Sequence, residues 1–295
     1  MPEHSDPIRN LQLISTGTVD IHPQHAYGSK APTYWWILTS RRWLTRRPIN
    51  VFVIEHRDGL VLFDTGQDRE SITDPDYFPG GALGWLYKRL ARFEIKPDET
   101  LPIQLNRIGY ATDDVKIAVL SHLHQDHIGG LRYLLGARVV TSATEHHQLT
   151  SRLAEARGVL REHVAVPGLN WDPVRFEPMD DADLAPFTLG ADLMGDESMI
   201  LLPTPGHTPG SLSMLVRRPG RDPVLMVGDL TYDARAMEKN GVKPGVGSTR
   251  QLEKTTSLVL EFKQRHPGLR ILAAHDPAAV AALGSGQHHP TPATT

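Results

Sequence analysis

Residues 121–130 read Ser-His-Leu-His-Gln-Asp-His-Ile-Gly-Gly, which places His122, His124, Asp126 and His127 within six positions. With 15 histidines and 21 aspartates among 295 residues, an H-x-H-x-D-H run is expected by chance on the order of 0.003 times in such a chain. Alternation in an extended segment points His122 and His124 the same way. A turn after them lets Asp126 and His127 face a second point. Three imidazoles and a carboxylate share a small volume cheaply only when a cation organises them.

Complementary residues lie downstream. The segment Thr204-Pro205-Gly206-His207-Thr208-Pro209-Gly210-Ser211 sets one histidine in a rigid turn. Val227-Gly228-Asp229 ends an apolar run with a carboxylate able to bridge two cations, and Ala274-His275-Asp276 ends another with an imidazole. His122, His124 and His207 thus suit one metal, and Asp126, His127 and His275 a second, with Asp229 shared. Nitrogen and oxygen ligands around two borderline cations about 3.5–4 Å apart follow the logic of a two-metal hydrolase. Zinc is the first expectation, and cobalt, manganese or iron would also suit such donors.

The chain has no cysteine. That excludes a disulfide scaffold, a Cys-ligated metal, an iron–sulfur cluster and a thiol nucleophile. No G-x-S-x-G motif offers a serine nucleophile either. Net charge is −3, which argues against a nucleic-acid partner. The N-terminus shows no basic stretch followed by an apolar one, and no window approaches 18 apolar residues, so neither a targeting segment nor a membrane span is expected. A cytoplasmic location is the default.

These residues need elements to position them. Residues 49–54 and 60–63, joined by Arg57-Asp58-Gly59, predict a hairpin whose second strand ends in Asp64-Thr65-Gly66. Residues 116–120, 139–141, 199–202, 224–227 and 270–274 predict further strands, several ending in polar residues. Residues 144–157 and 249–266 have helical character, the latter ending at Pro267-Gly268. Alternating strands and helices suit an α/β layered sandwich with a site along one sheet edge. Residues 71–96 carry Tyr77, Phe78, Trp85, Leu86, Tyr87 and Phe93 in a Gly/Pro-punctuated stretch, either a lid over an apolar substrate or an insertion packed on the core. Residues 172–197 hold eight acidic residues against Arg175 alone and predict a solvated linker. Arg41, Arg42, Arg46 and Arg47 around Trp43 predict a solvated edge hairpin. Residues 1–48 are expected as an N-terminal extension of one domain spanning 1–295. The tail 284–295 is expected to be disordered, with His288 and His289 as bystanders.

The set H-x-H-x-D-H followed by His207, Asp229 and His275 at strand ends resembles the metallo-β-lactamase superfamily, and Leu62-Phe63-Asp64-Thr65-Gly66 matches its early strand-end motif. The resemblance covers roughly residues 49–280. It implies an αββα sandwich with a binuclear centre, usually zinc, and gives Asp64 the role of supporting the metal histidines. Without cysteine, the subclasses that place a Cys in the second site are excluded, and Asp229 occupies the bridging position. Asp229-Leu230-Thr231-Tyr232 and His275-Asp276 are most similar to the N-acyl homoserine lactone lactonases.

That likeness implies hydrolytic ring opening by a hydroxide bridging the two metals. Tyr232 would hydrogen-bond the developing oxyanion, Asp126 would carry a proton to the departing ring oxygen, and the aromatics of 71–96 would receive the acyl chain. The expected partner is a small lactone bearing an acyl chain, and a homodimer is compatible with the sequence. The rival readings are hydrolysis of a thioester, as in the glyoxalase II type, or of another carboxylic or phosphate ester. About 20 residues follow His275, too few for the helical domain that the glyoxalase II type adds. A phosphodiesterase would want a basic arm, and a diiron oxidoreductase would want a Glu where His124 stands. The non-enzyme alternative is a metal-binding lactone sensor.

Overall fold

The computed structural model describes residues 6–284. Seven strands form the first sheet: β1 (Ile8–Ile21), β2 (Leu44–His56), β3 (Gly59–Phe63), β4 (Ala91–Glu94), β5 (Val115–Val119), β6 (Arg138–Val140) and β7 (Asn170–Trp171). Their order is β4-β1-β2-β3-β5-β6-β7. The second sheet holds β8 (Glu177–Pro178), β9 (Leu189–Asp192), β10 (Met199–Pro203), β11 (Leu212–Val216), β12 (Val224–Met226) and β13 (Arg270–Leu272), in the order β13-β12-β11-β10-β9-β8.

Both sheets are apolar on two faces, so their strands read as continuous runs rather than alternating ones. Phe52, Ile54, Val61, Phe63 and Val119 of the first sheet meet Leu201, Met214, Val216, Met226 and Leu272 of the second in the central core. The intervening residues point outward. Val51, Val53, Leu62 and Ala118 pack on Leu101 and Leu105 of the helix Leu101–Arg107. Ile200, Leu202, Leu215 and Leu225 pack on Leu252, Val259 and Phe262 of the helix Thr249–Arg265. The result is the expected αββα sandwich. Ser248 caps that long helix by accepting from the Gln251 amide, and Pro267-Gly268 follows its end. Its three buried apolar side chains, Leu252, Val259 and Phe262, contribute about 1.5–3 kcal/mol each.

Several local expectations need correction. Residues 8–21 are not an appendage: β1 pairs with β2 along most of its length and with β4 on its other side. Residues 172–197 contain β8 and β9 rather than a bare linker. Their acidic side chains serve turns, since Asp192 accepts from the amides of Met194, Gly195 and Glu197. The helix expected over 144–157 is broken into Ala143–His146 and two short 3₁₀ turns. The stretch 71–96 folds as a helix over Gly81–Leu90 leading into β4. The predicted tail beyond Gly284, with His288 and His289, lies outside the described residues. No helix among the described residues is long and apolar enough to cross a membrane.

β3, β5 and β6 run parallel, as do β12 and β13. Their C-terminal ends therefore open at one edge of the sandwich, and the polar residues that follow them converge there.

Candidate metal centre

Asp64 follows β3 in the left-handed region, at φ 63°. Its Oδ1 accepts the Ser121 amide at 2.7 Å, and its Oδ2 accepts the Ser121 hydroxyl at 3.0 Å and His127 Nδ1–H at 2.8 Å. Because the Ser121 hydroxyl donates to Asp64, it must accept from His122 Nδ1, 3.0 Å away. One carboxylate thereby fixes the tautomers of two histidines and leaves both Nε2 atoms bare. His275 is set likewise, with Nδ1–H donating to the Pro48 carbonyl at 2.9 Å. His124 is turned the other way: Nε2–H donates to the Arg157 carbonyl at 3.1 Å, and Nδ1 faces His207 Nε2 at 2.9 Å.

The bare atoms converge. His122, His124 and His207 form one group with ligand atoms within 4.8 Å of one another, Asp126, His127 and His275 form a second, and His122, His127 and Asp229 link the two. Asp229 Oδ1 lies 3.4 Å from the Nε2 atoms of both His127 and His275. Among the described residues, His122 Nε2, His127 Nε2, His275 Nε2 and Asp229 Oδ1 are buried without a hydrogen-bond partner. Unsatisfied groups of this kind cost about 1–3 kcal/mol each. Four in one spot, all of ligand chemistry, fit divalent cations.

Electrostatics agree with that fit. Burial, reinforced by neighbouring imidazoles, pushes His122 well below its ordinary value. Burial does the same to His207 against the pull of Asp229. Both present neutral lone pairs. Burial opposes the Asp229 charge, but His275 and His127 hold its carboxyl well below the usual range. Against burial, Asp64 and Asp229 in turn raise His127 well above its ordinary value, so the spot draws positive charge, which a cation at the Nε2 atoms would supply in place of a proton.

All seven residues expected to bind metal are thus brought together, and Asp64 stands behind them. Tyr232 also reaches the site. Its hydroxyl donates to Asp229 Oδ2 at 2.5 Å, and its ring stacks on His275 at 5.4 Å between centroids. Burial, aided by Asp229, pushes the phenol well above its ordinary value, so it stays protonated.

Other functional residues escaped the sequence reading. Arg47, read as part of a solvated edge hairpin, is buried. It donates to the carbonyls of Tyr232 (2.6 Å) and His275 (3.3 Å) and to the Tyr27 hydroxyl (2.7 Å). Glu145 is fully buried and accepts from the Leu123 amide, the Thr208 hydroxyl and the Gly210 amide, tying the His122–His127 loop to the His207 loop. His25 lies 3.1 Å from the Tyr232 hydroxyl. Nothing in the spacing of these three residues announces a site. Only the fold brings them to it.

A cavity of about 560 Å³ opens beside the cluster, where it meets His124, Asp126, Asp229 and Tyr232. Its far walls are apolar: Ile21 from β1, Ile37 from the helix Thr33–Thr39, Leu83 and Leu86 from Gly81–Leu90, and Phe93 from β4. The side chains singled out in 71–96 divide between two places. Leu86, Tyr87 and Phe93 line this cavity, whereas Tyr77 and Phe78 belong to a small core with Leu160 and Trp85 is exposed.

Residues 44–275 match the family model of the metallo-beta-lactamase superfamily. The N-acyl homoserine lactonase AttM of Rhizobium radiobacter is 28% identical over 235 residues, covering 79% of this chain and 84% of that protein. A probable metallo-hydrolase of Mycobacterium tuberculosis is 31% identical over 249 residues, covering 77% of this chain and 74% of its own. Among solved structures, a variant of AiiA from B. thuringiensis with N-decanoyl-L-homoserine bound at its active site superposes with a TM-score of 0.71 at 20% identity, covering 92% of this chain and 94% of that one. At that identity the likeness concerns the fold.

Proposed function

The chain belongs to the metallo-beta-lactamase superfamily, and from that premise we propose that this hydrolase opens the lactone ring of N-acyl homoserine lactones. The observation that carries the reading is the junction at Tyr232, where a His/Asp cluster meets an apolar cavity. A polar, hydrolysable ring would sit on one side of it and an acyl chain on the other. The name carried by the AttM relative supports the same substrate class.

His122, His124 and His207 would hold one divalent cation, and Asp126, His127 and His275 a second, with Asp229 between them. Zinc is the expected metal. When bound, such a pair supplies a water activated at neutral pH and polarises the ester carbonyl. The protein's own groups do the rest. Tyr232, buried and protonated, donates a hydrogen bond where negative charge develops on the carbonyl oxygen. Asp126, whose side chain keeps 17% exposure and borders the cavity, takes up the proton given by the attacking water and passes it to the ring oxygen as the carbon–oxygen bond breaks. Water is consumed, and the product is the open hydroxy acid. The apolar walls hold the acyl chain and keep bulk solvent away from the ring.

The test is titration of acid released by metal-loaded protein from short- and long-chain N-acyl homoserine lactones. One equivalent per turnover is expected, with loss on chelation and recovery on re-addition of metal. Activity should vanish in His124→Ala and Asp126→Asn. Absence of acid release across the whole lactone series, with brisk cleavage of a thioester, would overturn the substrate assignment.

A further inference from the structure

His25 lies outside residues 44–275, the span matched by the family model. It sits on the short helix Pro23–Tyr27, directly after β1. Its backbone is fixed at both ends, with its amide donating to the His22 carbonyl at 2.9 Å and its carbonyl accepting the Gly245 amide at 2.9 Å. The side chain is buried, and its ring meets the Tyr232 ring edge-on at 5.1 Å. Nε2 lies 3.1 Å from the Tyr232 hydroxyl, while Nδ1 has no partner among the described residues.

Counting protons decides what this contact is. The Tyr232 hydroxyl carries one proton, and Asp229 Oδ2 at 2.5 Å receives it, since a carboxylate has none to give. The remaining contact of the phenol oxygen must therefore be accepted from His25, as Nε2–H. A nitrogen lone pair facing the oxygen at that distance would leave two acceptors opposed with no hydrogen between them. The partnerless Nδ1 is then the bare nitrogen of the neutral ring. Burial keeps the ring neutral, holding His25 down to about 4.

We propose that His25 is a positioning residue for the hydrolysis: its Nε2–H occupies the Tyr232 oxygen, so that the phenol proton can point only toward Asp229 and the cavity, where the carbonyl oxygen of the substrate lies. A hydroxyl that accepts one hydrogen bond also donates a stronger one. Without the imidazole, the phenol could rotate its proton away from the reacting carbonyl, and its oxygen would lose a buried partner. The segment 22–27 thereby acts on the reaction through Tyr232, from a place that also borders the cavity. The inference rests on the reading of Tyr232 as the donor to that carbonyl.

His25→Phe removes the donor and keeps a ring, whereas His25→Gln keeps an N–H near the same place. In His25→Phe, kcat for lactone opening should fall about tenfold, the scale of lost supporting hydrogen bonds at a site. KM should stay within about twofold and metal content should be unchanged. His25→Gln should recover most of the rate. The double variant His25→Phe/Tyr232→Phe should be no slower than Tyr232→Phe alone, a non-additivity that a general loosening of the fold would not produce. Additive losses, or an unchanged kcat in His25→Phe, would overturn the proposal.

A second readout does not depend on turnover. In the zinc-loaded protein with ¹⁵N-labelled histidine, the signal absent from His25→Gln should show the Nε2–H tautomer. An Nδ1–H tautomer overturns the assignment. If the protein opens no lactone yet cleaves another ester, the substrate reading fails by itself, and the same cycle run on that ester together with the tautomer still decides the role of His25. If His25→Phe does not fold, the tautomer decides it.

Discussion

Asp64 Oδ2 accepts His127 Nδ1–H at 2.8 Å from a backbone held at φ 63°. The carboxylate also accepts the Ser121 amide and hydroxyl, so one side chain sets both His122 and His127. Asn tolerates the left-handed backbone, and Asp64→Asn tests the carboxylate rather than the turn. The amide must aim its N–H₂ at a group that donates, either Ser121 or His127. Metal affinity should fall about 10–100-fold with the fold retained, as measured by chelator competition and circular dichroism. Undiminished affinity would remove Asp64 from the site's support.

Gly158 stands beside His124 with φ 92°. A Cβ there would come within 2.5 Å of His124 Cδ2 and 2.6 Å of Nε2, the atom that donates to the Arg157 carbonyl. Gly158→Ala combines backbone strain of about 1–3 kcal/mol with displacement of one imidazole. The expected outcome is a lower Tm together with less than two metal ions per chain. Full metal content at wild-type activity would mean that His124 relaxes without consequence.

The metal cluster is legible in the sequence because its first four members lie within six residues, and the others follow the ends of β10, β12 and β13, which run in the same direction through the second sheet and so deliver side chains to one edge. His25, Arg47 and Glu145 are not legible. Each acts through a contact with a residue distant in sequence: Arg47 with the carbonyl of Tyr232, Glu145 with Thr208, His25 with the Tyr232 hydroxyl. Charge counting misled at two places. Arg47 reads as a solvated cation until the fold buries it against three acceptors, and the acidic run 172–197 reads as a linker although Asp192 organises a turn beside β9. The cavity is half legible: Leu86, Tyr87 and Phe93 of the stretch 71–96 line it, while Ile21 and Ile37 belong to the segment 1–48 that reads as an extension.

His25 makes a pH prediction with a definite sign. Burial outweighs the pull of Asp229 and Asp126 and lowers it from 6.5 to about 4. Between those values the unfolded chain binds a proton that the folded one refuses, so stability rises with pH through the window and is lost as pH falls from 6.5 toward about 4. The full effect is about 3 kcal/mol. Urea unfolding of metal-free wild type and metal-free His25→Gln, at pH 7 and near pH 4, isolates it, because contributions from His122 and His207 are common to both proteins. The wild type should lose more stability on acidification by roughly that amount. Equal losses would show that His25 titrates as an exposed imidazole.

The cavity predicts how rate depends on chain length. Leu83 and Leu86 face it from Gly81–Leu90, with Ile21, Ile37 and Phe93 completing the apolar walls of a volume of about 560 Å³. Each acyl methylene buried against such walls contributes about 0.8 kcal/mol, about fourfold in affinity. The kcat/KM for N-acyl homoserine lactones should therefore climb by up to about that factor per methylene and level off once the walls are covered. Leu86→Trp shortens the space available. Its plateau should arrive at a shorter chain, with long-chain substrates losing about tenfold in kcat/KM, roughly two methylenes' worth, and the shortest staying within about twofold. Equal loss at every chain length would mean that the acyl group lies elsewhere.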